Sequence, residues 1–196
     1  LIDGLKRFVF RSKVRFEIEM SRHLSGSIGM PITREELIGS GLDDGFLLQI
    51  GQGETSRQLH LGSKAGVSDF DAAQRWHEID MAAGWVWIDE SLQDIWTPHM
   101  LSLQQINAFS LNKGCYPGQE IVARTHYLGK SKRALFIVSG TDLQPGAMLA
   151  DHGRDVGRIV NATAEGRLAA AVLPADTLPD ARLDGDIRVE APASGL

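Results

Sequence analysis

The chain has 196 residues, enough for one large or two small domains, and its 43% hydrophobic and 23% charged content is that of an ordinary globular protein. A net charge of −5 argues against a general nucleic-acid binder, and no apolar run approaches the roughly 20 residues a membrane span needs. A single cysteine excludes an internal disulfide or a cysteine-rich metal cage and suits a reducing, cytoplasmic setting.

In chain order, residues 3–12 read as a helix with apolar Leu5, Phe8 and Val9. Val14, Phe16, Ile18 and Met20 alternate with Arg15, Glu17 and Glu19, which predicts a half-buried strand. Thr33-x-x-Glu36 is a capping box for a short helix ending near Gly39. Residues 46–50 and 57–61 predict two strands joined by a glycine-rich turn. That turn, Gly51-Gln52-Gly53, lacks the lysine and the spacing of a phosphate loop. Ser68 is the predicted cap of a helix over 69–83 that Gly84 ends, with Ala72, Ala73, Trp76, Ile79 and Ala83 as its apolar stripe. Trp85 and Trp87 share one side of an extended segment, so at least one of them is expected to be buried.

From Arg133 onward the texture changes. Short apolar runs at 134–139, 147–150, 156–162, 168–173 and 187–191 are separated by Gly, Pro and Asp. They predict a small antiparallel β-barrel or sandwich. The fold class is therefore α+β, with a first domain over 1–132 and a β-domain over 133–196. His23, His60, His77, His99, His126 and His152 form no HxxxH or HExxH pattern, so no metal site is expected.

The segment with the most chemistry is Lys113-Gly114-Cys115-Tyr116-Pro117-Gly118-Gln119-Glu120, followed by Ala123-Arg124 and Lys132-Arg133. A Pro-Gly turn opens a predicted helix from Gln119 to about Thr125, with His126 and Tyr127 just beyond it. A thiol beside a lysine and a helix start is biased toward thiolate, the reactive form. Gly114 and Gly118 let backbone approach a ligand closely. The same cysteine also suits a packing role as a small buried hydrophobe. Charge is uneven along the chain. Lys113, Arg124, Lys130, Lys132 and Arg133 face one acid, Glu120, and residues 1–15 are also basic, so two basic segments suit an anionic ligand as well as a solvated face.

This segment closely resembles the signature of the YgfZ-type folate-binding proteins, relatives of the aminomethyltransferase (T-protein) of the glycine cleavage system. The resemblance continues upstream through residues 5–14, through Gly84-Trp85-Val86-Trp87-Ile88 and through Thr97-Pro98-His99-Met100-Leu101-Ser102-Leu103. It implies a tetrahydrofolate-binding accessory protein that assembles or repairs iron–sulfur clusters in a subset of enzymes. It implies an aminomethyltransferase-like domain packed with a C-terminal β-barrel. Carried over by position, Cys115 and Lys113 would be the reactive pair, and Tyr116, Gly118, Gln119, Glu120 and Arg124 the folate-binding residues. Implied partners are folate and iron–sulfur client enzymes or cluster-assembly proteins, with no nucleic acid and no membrane.

Two departures stand out. Family members carry a substantial segment before the first helix, so the first domain is expected to be N-terminally incomplete here. The aminomethyltransferases carry a pterin-holding glutamate two residues before the glycine matched to Gly84. Here that position is Ala82, with Asp80 and Glu78 out of register. One-carbon (aminomethyl) transfer is thus the alternative to the accessory role, which ranks first.

Overall fold

Strand formation begins where apolar and polar residues alternate. A computed structural model describes residues 15, 17–18, 20–29, 45–51, 53–114 and 118–192. The chain divides into two compact units, Leu1–Ser68 and Asp69–Leu196.

The first unit contains a three-stranded antiparallel sheet of β1 (His23–Ile28), β2 (Phe46–Ile50) and β3 (Arg57–Gly62), in the order β1-β3-β2. The predicted strands at 46–50 and 57–61 are present. The strand predicted over 14–20 is not seen: its described residues, 15, 17, 18 and 20, carry no strand pairing, and the first strand among the described residues is β1. Alternation alone selects no partner. His23–Ile28 wins because it matches β3 residue for residue, from His23 opposite Gly62 to Ile28 opposite Arg57. The helices predicted over 3–12 and 33–39 lie outside the described residues.

The second unit opens with α1 (Phe70–Ala82). Its cap is Asp69, not Ser68. The Asp69 carboxylate accepts from the Ala72 N–H at 3.0 Å, satisfying a donor that the helix start leaves unpaired. Gly84 ends the helix with φ 79°: its N–H donates to the Met81 carbonyl at 2.9 Å, and the Trp85 N–H donates to the Asp80 carbonyl at 2.8 Å. This is a Schellman closure, and glycine adopts its left-handed residue without strain. Ile79 and Ala83 of the predicted stripe are buried, Trp76 is half-buried, and Ala72 and Ala73 are exposed. Neither Trp85 nor Trp87 is buried, contrary to expectation; they remain 37% and 59% exposed. Trp87 instead turns its indole N–H onto the buried Asp80 carboxylate at 3.2 Å. A polar tip with a buried acceptor holds the ring at the surface.

After α2 (Gln119–Leu128) come six strands: β4 (Arg133–Ser139), β5 (Met148–Asp151), β6 (Arg154–Ala162), β7 (Leu168–Pro174), β8 (Arg182–Leu183) and β9 (Ile187–Pro192). They form one antiparallel sheet in the order β5-β6-β7-β4-β9-β8. The ends nearly meet: the Asp184 N–H, just after β8, donates to the Ala150 carbonyl of β5 at 2.9 Å. The Asp184 carboxylate also accepts from the N–H groups of His152 (3.1 Å) and Gly153 (2.7 Å). Those two residues form the β5–β6 hairpin turn, both at positive φ, as a type I′ turn requires. The result is the expected barrel-like sheet in a mixed α and β chain.

The barrel interior is built from Phe136, Val138, Leu149, Ile159, Leu173 and Val189, with Leu143 beside them. The opposite face of β4, β6 and β7 is also buried: Leu135, Ile137, Val160 and Val172 pack against Met81 and Leu101 of the helical part. Burial on both faces explains why β4 and β7 read as continuous apolar runs. Gly157 marks the tightest approach, since a Cβ there would stand 2.4 Å from the Val172 carbonyl oxygen.

Candidate functional site

The motif enters α2 through Gly118, the N-cap, at φ 83°. Gly118 offers no capping side chain, so the first-turn N–H groups depend on other partners, and Glu120 supplies negative charge to the helix start. Ten residues are too few for a helix to hold alone in water. It is held by the buried Val122 and the half-buried Ala123 and Thr125, and the Thr125 hydroxyl donates to the Ile121 carbonyl at 2.9 Å. The helix runs past the predicted end at Thr125 to Leu128, so His126 and Tyr127 belong to its last turns rather than following it.

Lys113, Gly114, Gly118, Glu120 and Arg124 are exposed, and Gln119 is half-buried. Glu120 and Arg124 stand four residues apart and so share one face of α2. An added Cβ at Gly114 or Gly118 would meet no described atom within 4 Å, so the chain is open to close approach there. Cys115, Tyr116 and Pro117 lie outside the described residues.

A second cluster sits at the other end of the helix. The turns over 97–103 are knit by the N–H of Leu101 donating to the Thr97 carbonyl (3.2 Å) and that of Leu103 to the Pro98 carbonyl (3.0 Å). They are fastened to the barrel by Ser102, at φ 54°, whose hydroxyl accepts from the Leu135 N–H at 3.0 Å. This places His99 against Phe109, ring centroids 5.2 Å apart, and 6.5 Å from the ring of His126 on α2. His99 is only 7% exposed, and neither ring nitrogen has a hydrogen-bond partner among the described residues. Burial, and secondarily the nearby His126, lowers the His99 pKa below its usual 6.5.

A cleft of about 330 Å³ opens where these turns, the last turns of α2 and the start of β4 meet. Its basic groups are His99, His126, Lys130 and Arg133; its neutral polar groups include Ser102, Gln104, Gln105, Thr125 and Ser131. Among the described residues no carboxylate lines it, and no described motif residue from Lys113 to Arg124 does so. Sequence reasoning named the basic run and the His126–Tyr127 pair but did not join them to His99, because the two histidines stand 27 positions apart on different elements. Among the described residues no group of three or more His, Cys, Asp or Glu could hold a metal ion, and no helix is long and apolar enough to cross a membrane.

No family model matches the chain. Individual curated proteins do. The tRNA-modifying protein YgfZ of Yersinia pestis (strain Pestoides F) is 38% identical over 87 residues, which is 44% of this chain and 26% of that protein. The protein of the same name from Pectobacterium carotovorum subsp. carotovorum is 38% identical over 96 residues, 48% of this chain and 28% of that protein. The match thus spans little more than a quarter of the relatives' own length. Over that stretch the chain is a homologue of the YgfZ-type proteins, the relationship that its motif residues imply.

Proposed function

We propose that the chain belongs to a cytoplasmic, tetrahydrofolate-binding accessory protein that assembles or repairs iron–sulfur clusters in a subset of enzymes, using the thiol of Cys115. The observation that carries this reading is the 38% identity to the YgfZ relatives, taken with the KGCYPGQE segment. The local geometry supports it: a glycine-opened helix start presents Glu120 and Arg124 on one exposed face. A carboxylate there suits the paired N–H donors of a pterin ring, and a guanidinium suits the glutamate end of folate. Gly118, Gln119 and Tyr116 complete the folate contacts in this reading. Bound folate would supply a one-carbon carrier. The first domain, over 1–132, would be the aminomethyltransferase-like part, and 133–196 the barrel.

Lys113 lies two residues before the thiol and favours its ionised form. One thiol does not supply the four thiolates that usually hold a cluster, so Cys115 acts with ligands from a client or cluster-assembly partner. The relatives' name attaches tRNA modification to them. Here that link runs through an iron–sulfur client that itself modifies tRNA, so a chain of net charge −5 needs no nucleic-acid surface of its own. Aminomethyl transfer would require an acid near the reacting carbon. Ala82, exposed on the last turn of α1, offers none, and the accessory role stands ahead of it.

The test is complementation of cells lacking the protein, reading the activity of an iron–sulfur client beside the abundance of each variant. Cys115→Ala is expected to abolish support at normal abundance, and Lys113→Ala to weaken it. Full rescue by Cys115→Ala would assign the thiol to packing. Separately, Glu120→Gln and Arg124→Gln are expected to weaken tetrahydrofolate binding in a fluorescence titration.

A further inference from the structure

We propose that the cleft between the 97–103 turns, the last turns of α2 and the start of β4 is an anion site for a small phosphate monoester. It is distinct from the folate and thiol positions at the other end of the helix. Four groups that carry or can accept positive charge, His99, His126, Lys130 and Arg133, converge on one cleft, and no described carboxylate lines it. Alternating charge is the usual pattern on a solvated surface, so a concave site of one sign concentrates anions.

Two features show preorganisation. Arg133 lines the cleft and is anchored by one arm, its Nη1 donating to the Val156 carbonyl at 2.8 Å, which limits how far the side chain can swing. His99 is buried with both nitrogens unpartnered among the described residues, although it lines the cleft. A buried polar group without a partner costs roughly 1–3 kcal/mol, and a ligand oxygen that reached one His99 N–H would offset the cost of that nitrogen.

The choice of phosphate follows from charge and shape. A carboxylate carries one charge and offers two oxygens, whereas a phosphate monoester carries up to two charges and offers three. Four basic groups with the amides of Gln104 and Gln105 match the larger valence. A volume of about 330 Å³ is at the small end for ligand sites, which favours a compact ligand. An extended polynucleotide fits poorly, because the chain as a whole repels it at net charge −5.

The rings beside His99 are those of His126 from α2 and the uncharged Phe109, and Lys130 and Arg133 add two further basic groups to the lining of the same cleft. Protonating His99 is therefore unfavourable until an anion arrives. Anion binding favours the imidazolium, so affinity rises as pH falls through the histidine range.

The experiment is calorimetric titration of the whole chain with glycerol 3-phosphate, inorganic phosphate, succinate and a single-stranded oligonucleotide, at pH 6 and pH 8. Saturable binding of the two phosphates is expected, and the surface double variant His126→Gln/Lys130→Gln should weaken it tenfold or more with an unchanged melting temperature. With sulfate, whose charge does not change between pH 6 and pH 8, binding should be stronger at pH 6, and His99→Gln, if it folds, should remove that dependence. Phosphate binding unaffected by the double variant would overturn the proposal. So would succinate binding as tightly as glycerol 3-phosphate, binding of the oligonucleotide alone, or no binding of either phosphate. None of these outcomes touches Cys115 or folate, so the site stands or falls separately from the accessory function.

Discussion

The two sheets among the described residues are made from similar alternating strands and are used differently. In the six-stranded sheet, β4 and β7 bury both faces: Leu135, Val138, Ala170 and Val172 are all inaccessible to solvent. In the three-stranded sheet, one face carries Leu24, Phe46 and Leu48 at 66%, 59% and 49% exposure. Register places these three beside Leu59 and Leu61 of β3, so the apolar residues of all three strands share a side. Alternation tells which residues share a face. It does not tell how well that face is covered.

The comparison can be broken most sharply in the barrel. Leu135→Ala removes a fully buried β4 side chain that packs with Met81 and Leu101 of the helical part. A loss of about 2–5 kcal/mol is expected in urea unfolding. A loss under about 0.5 kcal/mol would mean that this face of the sheet is not a packed interface.

Gly157→Ala tests the same density from the opposite direction. The new methyl would lie 2.4 Å from the Val172 carbonyl oxygen and 2.5 Å from Leu173 Cδ2. The side chain can yield, but the carbonyl belongs to a paired strand, so a cost of about 1–3 kcal/mol is expected, read by thermal unfolding. Asp184→Ala should cost somewhat less, about 1–2 kcal/mol, since it removes the acceptor for two turn N–H groups that water can partly replace. Its decisive readout is hydrogen exchange: the His152 and Gly153 amides should exchange faster while those of β7 do not.

These cases also show what the sequence could and could not say. The barrel runs were legible because Gly, Asp and Pro punctuate strands whose apolar residues are continuous, and five of its six strands follow from that texture. The two-residue β8 carries too few positions to show a period. α1 and its end at Gly84 were legible because one glycine does one geometric job there. The cap was misplaced by a residue, because Ser68 and Asp69 are equally good capping chemistry and only the Ala72 hydrogen bond decides between them. Trp85 and Trp87 misled because apolar area argues for burial while the indole N–H of Trp87 is drawn to Asp80. The motif helix was legible from Pro117-Gly118. The cleft at its far end was not, since His99 and Arg133 meet only after Ser102 is fastened to β4.

The buried histidine gives a pH test. The His99 pKa is lowered in the folded protein, so the unfolded chain binds the extra proton first. Stability from this group is fully present above the ordinary value of 6.5 and declines as pH falls through and below it. His99→Gln should flatten that decline in unfolding measurements between about pH 7 and pH 5. A wild-type and variant difference that stays constant over this range would show that His99 contributes packing alone.

The smallest effect sharpens the contrast between the sheets. Leu24→Ser lies on β1 opposite Leu61, on the same kind of alternating strand as Leu135, yet two-thirds of the leucine is exposed. Little apolar area leaves water at this position when the chain folds, so little is lost on truncation. The change in unfolding free energy should stay within about 0.5 kcal/mol, several times smaller than for Leu135→Ala. Serine retains the extended backbone well enough that strand pairing with β3 should persist, seen as unchanged exchange protection at Leu59 and Leu61. A loss of 2 kcal/mol or more at Leu24 would show that the apolar face of the three-stranded sheet is covered in solution, and the two sheets would then differ in what covers them rather than in whether they are covered.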